Sequence, residues 1–216
     1  LPGLNIREAA ELADALDNAL CEQVDYAYDE KYGFLTSCPT NVGTGIRASV
    51  MLHLPALVVT KQINKIIGAA TQVGLTVRGI YGEGSEPLGN LFQISNQVTL
   101  GRSEEEIILN LQGVVEQVIE LERQRQQELL NNNRSEIVDQ IQRNYGILAN
   151  ATIINSKEAT ERLSDLRLGA ALDLIEGLSP RTVDELFVRI QPGYLRYGAG
   201  TELDEQERDV DRAKII

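Results

Sequence analysis

Apolar residues recur at helical spacing near the start of the chain. Ile6, Ala9, Ala13, Leu16 and Leu20 share one side of a helix expected over 5–21. Asn5 followed by Glu8 resembles a capping start. A short strand is expected over 34–37, running into a turn at Cys38. The period then becomes two. Ala48, Val50, Leu52 and Leu54 alternate with Ser49, Met51 and His53, which predicts a half-buried strand stopped by Pro55. Helical spacing returns over 61–72 through Ile63, Ile66 and Ile67, and 75–79 reads as another strand. The glycine-rich stretch 79–89 reads as a mobile loop, and 90–100 as a further strand.

The remainder is helical in pattern. Ser103 and Glu106 have capping-box spacing, ahead of a buried stripe at Ile107, Leu111, Val114, Val118 and Leu121. The polar run 123–133 is expected to end this helix and mark a domain boundary. Further helices are expected over 135–149, 156–176 and 179–189, the last opened by Ser179-Pro180. A turn-rich connector over 192–200 and a charged helix over 202–216 complete the chain. The expected fold is α+β: an antiparallel sheet flanked by helices over 1–130, then a small all-helical module over 131–216.

Composition narrows the field. The 216 residues are 43% hydrophobic and 24% charged, an ordinary soluble globular balance. Lys+Arg 20 against Asp+Glu 32 gives a net charge of −12, which argues against non-specific nucleic-acid binding. It leaves room for an arginine pocket within an acidic protein. No apolar run approaches bilayer-spanning length, so no membrane partner is expected. Cys21 and Cys38 form no CxxC and have no histidine partner pattern, which suggests neither a disulfide framework nor a zinc site. A reduced thiol in the cytoplasm is the simplest reading. His53, the only histidine, is expected to be solvated on the polar face of its strand.

The chemistry concentrates in Cys38-Pro39-Thr40-Asn41-Val42-Gly43-Thr44-Gly45-Ile46-Arg47, which puts a thiol, a Gly/Thr turn and an arginine immediately before a strand. The rigid fork of Arg47 suits bidentate contact with phosphate. Arg78, just before the glycine-rich stretch, is a candidate second cation. On spacing alone, two surface arginines in salt bridges are an equally good reading.

This run, together with Arg78-Gly79-Ile80-Tyr81-Gly82-Glu83-Gly84-Ser85-Glu86, closely resembles the guanidino kinases, the creatine and arginine kinase family. Those enzymes move phosphate from ATP to a guanidinium nitrogen. The resemblance covers about residues 1–130. It implies ATP and Mg2+, the ion held mainly by nucleotide phosphates and water, with no metal-ligating residues of the chain. It implies that Arg47, Ala48, Ser49, Val50, Met51, Arg78, Gly79, Ile80, Tyr81, Gly82 and Glu83 line the nucleotide. It also implies that Cys38 sits beside the substrate guanidinium. Glu83 would be the loop carboxylate, with Glu86 as the alternative. Tyr81 and Met51 depart from the small-molecule kinases, where arginine and often histidine stand.

The extension beyond 130 and the wording of the glycine loop resemble the bacterial protein arginine kinase branch, the McsB type. There an R-D-x-x-R-A motif forms a phosphoarginine-binding pocket; here it stands as Arg208-Asp209-Val210-Asp211-Arg212-Ala213. Arg208 and Arg212 are four apart and share a helical face, so two guanidinium forks can clamp a phosphate while Asp209 accepts from the guanidinium. A charged terminal helix with ordinary ion pairs is the plain alternative. The branch implies phosphorylation of arginine side chains on proteins, marking of misfolded proteins for a Clp ATPase/protease, control of a heat-shock repressor, an activator protein, and a homodimer. The family's N-terminal lobe and N-E-E-D carboxylate box would precede Leu1, so the sequence is expected to be the C-terminal part of a longer chain, inactive alone. Two other functions remain open: a small-molecule guanidino kinase, and a non-catalytic phosphoarginine-binding adaptor.

Overall fold

The structure is a computed structural model that describes residues 1–79 and 87–216. The expected mobility of the glycine-rich stretch, and its residues Ile80, Tyr81, Gly82, Glu83 and Glu86, lie outside the described residues. The chain forms two compact units. The first comprises Leu1–Leu52, Lys61–Arg78 and Phe92–Leu121. The second comprises His53–Thr60, the described part of Gly79–Leu91, and Glu122–Ile216.

Helix α1 (Ile6–Cys21) forms as the apolar spacing predicts, but it buries no residue, and Leu12, Leu16 and Leu20 are exposed. A small antiparallel hairpin follows, β1 (Tyr28–Asp29) and β2 (Gly33–Phe34), with Tyr28 opposite Phe34. The side chain of Asp29 accepts from the backbone amides of Lys31 and Tyr32, which makes the turn. The strand expected over 34–37 is therefore shorter and begins earlier. Beyond Phe34 the chain leaves the hairpin for the Cys38 turn.

The main sheet has three strands in the order β3 (Ser49–His53), β5 (Leu91–Asn96), β4 (Leu75–Gly79). Within the first unit the buried residues include Leu75, Phe92 and Ile94 of the sheet, Ala70 of α3 (Ile63–Gln72), and Ile107, Leu111, Val115 and Val118; of the expected stripe, Val114 and Leu121 are only half-buried, and Val115 is buried instead. The expected capping box is present. Ser103 N–H donates to Glu106 Oε2 at 2.8 Å, and Glu106 N–H donates to Ser103 Oγ at 3.2 Å. Glu104, Glu105 and Glu106 sit in the first turn of α4 (Glu104–Asn150), where the helix dipole favours negative charge.

Three expectations are corrected. Helix α4 runs from Glu104 to Asn150 across a kink at Asn133, φ −132° and ψ 31°, so the expected end falls only at the last residue of the polar run 123–133, and the run before it stays helical. Arg, Gln and Glu are good helix formers, so polarity there marks a solvated face and not an end. Residues 192–200 are no connector: Pro192 opens α7 (Pro192–Ala199), which Gly200 ends in the left-handed conformation at φ 68°. The last strand stops at Asn96, well short of residue 100.

Pro55 stops a strand and also starts a helix, α2 (Pro55–Val59). The buried carboxylate of Glu122 accepts from the amides of Ala56 and Leu57, both at 2.9 Å, and so satisfies the helix's free donors. The rest of the second unit packs α5 (Ser156–Ala171), α6 (Pro180–Arg189), α7 and α8 (Glu205–Ile215) around Ile154, Leu163, Val183 and Ile190. Asn155, Ser179 and Asp204 cap α5, α6 and α8 with side-chain oxygens.

Candidate active site

One face of the three-stranded sheet collects the polar residues. Ser49 and Met51 on β3 are exposed and alternate with half-buried Val50 and Leu52; Arg47 precedes them in the same parity and is exposed. On β5 the same face carries Gln93 and Ser95. Gln93 Nε2 donates to Ser49 Oγ at 2.9 Å, and Arg47 Nη2 donates to Ser95 Oγ at 3.4 Å. The opposite parity, Phe92, Ile94 and Asn96, is buried, and so is Ser95 beneath Arg47's hydrogen bond. There the Asn96 side chain takes the Ala48 amide at 2.8 Å and donates to Ile46 O at 3.1 Å, which fixes the backbone on both sides of Arg47.

On the other edge, Gln97 N–H donates to Gly74 O at 3.0 Å. Counting antiparallel from that pair without a bulge puts Arg78 across from Gln93. Arg78 is exposed, and no hydrogen bond or ion pair joins it to a described residue. Arg78 thus lies on one edge strand and Arg47 two residues before the other, both exposed and on the face that carries Gln93 and Ser95.

The Cys38 turn is fixed locally. Residues Pro39–Asn41 form one turn of 3-10 helix, and Thr36 Oγ1 donates to Cys38 O at 2.7 Å. Thr99 Oγ1 lies 2.9 Å from Thr40 O and 2.7 Å from Val42 O, tying the turn to the chain beyond β5. Gly43 has φ 114°, and a Cβ there would meet Leu100 Cα and Thr99 O at 2.8 Å, so the close approach requires glycine. The thiol of Cys38 is exposed, with Sγ 3.1 Å from Thr40 Oγ1. The Thr40 hydroxyl, and then its backbone amide, hold the thiol below its ordinary range; the Arg47 cation lowers it further. Cys38 and Arg47 therefore share one electrostatic environment, but the larger cause is a neighbouring hydroxyl and not a cation.

Thr40, Gln93 and Ser95 were not singled out in the sequence. For Gln93 and Ser95 a signal exists, since Leu91-Phe92-Gln93-Ile94-Ser95 alternates apolar and polar as β3 does. Thr40 had only its place beside the thiol.

His53 corrects the expectation of a solvated side chain. It is half-buried, its Nε2 lies 2.8 Å from Ser164 Oγ, and burial with the nearby Arg167 cation pushes it down to about 3. It is a neutral structural imidazole.

The C-terminal motif presents two different arginines. Arg208 is half-buried and donates from Nη1 to Leu203 O at 3.1 Å. Arg212 is 1% exposed. Its Nε donates to Ile190 O at 3.1 Å, and its Nη1 to Ile154 O at 2.8 Å and to the carboxylate of Asp209. The Asp209 backbone carbonyl accepts from Ile154 N–H at 3.2 Å. In this conformation Arg212 joins three segments of the helical module.

A cavity of about 390 Å³ in the first unit is lined by Gln72, Asn96, Arg102, Glu106 and Asn110 among others, and includes none of the sequence-predicted site residues. No group of three or more His, Cys, Asp or Glu among the described residues is disposed to hold a metal ion. No helix among them is long and apolar enough to cross a membrane.

Comparison with known proteins gives two family matches. The model of the "ATP:guanido phosphotransferase, C-terminal catalytic domain" matches residues 1–125. The "Protein-arginine kinase McsB C-terminal domain" model matches residues 134–216. A curated protein-arginine kinase of Halalkalibacterium halodurans is 57% identical over 215 residues, covering 100% of this chain and 60% of the relative. Another, from Brevibacillus brevis, is 56% identical over 216 residues, again 100% and 60%. A third, from a Geobacillus species, is 55% identical over 215 residues, 100% and 59%. The chain thus spans about three-fifths of the length of the curated relatives it matches.

Proposed function

The chain belongs to the ATP:guanido phosphotransferase family, and from that membership we propose that its protein is a protein-arginine kinase. It transfers the γ-phosphate of ATP to arginine side chains of other proteins. The observation that carries this reading is the sheet face on which exposed Arg47 and Arg78 accompany Gln93 and Ser95, with a lowered thiol in the field of Arg47.

The donor set fits a polyphosphate. Two exposed guanidinium forks suit phosphate oxygens, and the Ser49 hydroxyl lies on β3 two residues after Arg47, accepting from Gln93. Ala48, Val50, Met51 and Gly79 complete the described part of the nucleotide wall. Magnesium, when bound to the nucleotide, neutralises charge on its β- and γ-oxygens. Arg47 and Arg78 hold the phosphates in line with the acceptor and stabilise charge that spreads as the terminal phosphoryl leaves. The Pγ–O bond to the leaving diphosphate breaks as an arginine nitrogen bonds to phosphorus. The acceptor is cationic and poorly nucleophilic, so a carboxylate must take its proton. Glu83 is assigned that role, with Glu86 as the alternative. Cys38, as thiolate, faces the remaining positive charge of the guanidinium and orients it.

The choice of a protein acceptor over a free guanidino compound rests on the helical module. Residues 131–216 are taken as the phosphoarginine-binding and dimerising part, with Arg208, Asp209 and Arg212 as its motif. The kinase would act in the cytoplasm in a stress response, with a Clp protease, a heat-shock repressor and an activator protein as partners. The test uses the complete natural chain with Mg-ATP and an unfolded protein acceptor. Phosphate that is lost in acid and maps to arginine is expected. Turnover with free arginine or creatine, and none on protein, would reject the reading in favour of a small-molecule kinase. Binding of phosphoarginine with no transfer at all would favour the adaptor.

A further inference from the structure

Helix α5 of the second unit grips the start of β5. Thr160 and Ser164 lie four residues apart on α5, and both are 1% exposed. A Cβ on Gly89 would sit 2.8 Å from Thr160 Cγ2 and 2.9 Å from Thr160 O, and Gly89 has φ +64°, so glycine is required twice over. Asn90, at φ 55°, donates from Nδ2 to Ser164 Oγ at 2.8 Å. Leu91 then enters the apolar core with Leu163 and Val183. From the neighbouring strand, His53 Nε2 meets the same Ser164 Oγ at 2.8 Å, and Leu54 N–H donates to Asn90 O at 2.9 Å. Hydrogen-bond capacity closes: Ser164 accepts from Asn90 and gives its own hydrogen to Nε2 of the neutral imidazole. Buried as it is, the hydroxyl has no ready replacement in water for either partner.

We propose that Ser164 is a positioning residue for phosphoryl transfer: through Asn90 and His53 it ties the residue before β5 and the last residue of β3 to one point. The two strands held in this way are those that carry Ser49, Gln93 and Ser95. Ser164 touches no substrate; it acts by holding strand ends in register. The kinetic consequence rests on the proposed kinase activity, so the test includes a readout that does not.

The complete natural chain is compared with Ser164→Ala, Asn90→Gly and the double variant. Glycine keeps the left-handed backbone at position 90 and deletes only the amide. Each single change should lower kcat about tenfold with KM for ATP within about twofold, because a small misplacement of strand-borne groups acts on the transition state. The double variant should also lose about tenfold and not a hundredfold, since both changes cut one link. Amide exchange at Leu54 should quicken about tenfold in each. Unchanged kcat in folded single variants, or losses that multiply, overturns the proposal. If Ser164→Ala does not fold, Asn90→Gly decides alone. If the unmodified chain transfers no phosphate to protein, the kinase reading has failed, and unchanged exchange at Leu54 would then overturn the positioning role as well.

Discussion

Arg47 and Arg212 were both read from the sequence as phosphate ligands, and the structure gives them opposite situations. Arg47 is exposed and makes one long hydrogen bond, 3.4 Å to Ser95. Arg212 is 1% exposed and donates to Ile190, Ile154 and Asp209. A guanidinium with free donors can grip an incoming anion. One whose donors meet backbone carbonyls and Asp209, as in this conformation, ties segments of the fold together. Sequence spacing cannot separate these cases, because the forked side chain serves both equally well.

The largest effect expected from this contrast is on stability. Arg212→Ala should destabilise by about 3–5 kcal/mol, since it strands a carboxylate and two buried carbonyls. Urea unfolding measures it; a loss within about 0.5 kcal/mol would mean that the buried network contributes nothing. Arg47→Ala should do the reverse. Its stability should stay within about 0.5 kcal/mol of the unmodified protein. Its kcat should fall about 10²–10³-fold, as for loss of one preorganised donor to a transition state.

A smaller effect follows from His53. In the unfolded chain it takes a proton near 6.5, and in the folded protein only near 3. Between those values the unfolded state binds more protons, so this contribution is complete above pH 6.5 and declines as pH falls toward 3. His53→Gln should flatten that part of the stability profile, read as the urea midpoint against pH. The smallest effect concerns Cys38. Thr40→Val should move the midpoint of thiol alkylation to higher pH, and Arg47→Ala should move it in the same direction by less. The opposite order would mean that the cation governs the thiol.

Much of the fold was legible because period and caps agree. The Ser103 capping box and the Ser179-Pro180 start lie where pattern and terminal chemistry point together; the helix from residue 6 and the 75–79 strand follow from period alone, since the Asn5 side chain donates to Pro2 O and does not cap. The misses occur where one signal was read alone. The polar run 123–133 reads as a helix end, but only its last residue, Asn133, leaves helical geometry, and the Arg, Gln and Glu before it are good helix formers. Pro192 and Gly200 were taken for turn residues, although they suit the two ends of a short helix. At the site, Arg47 and Arg78 stand out by residue type and position, and Ser49 comes only with the resemblance. Gln93 and Ser95 were hidden in a strand read only for its apolar residues, and His53 looked solvated because its cover, Ser164, is 111 residues away in sequence.

The most direct test of the central claim is the amide chemical-shift response of the complete protein to Mg-ATP. Shifts should concentrate at Ser49, Gln93 and Ser95 and vanish in Arg47→Ala. Silence at those three, with shifts instead around Gln72, Arg102 and Asn110, would place the nucleotide in the other cavity and contradict the assignment of this sheet face.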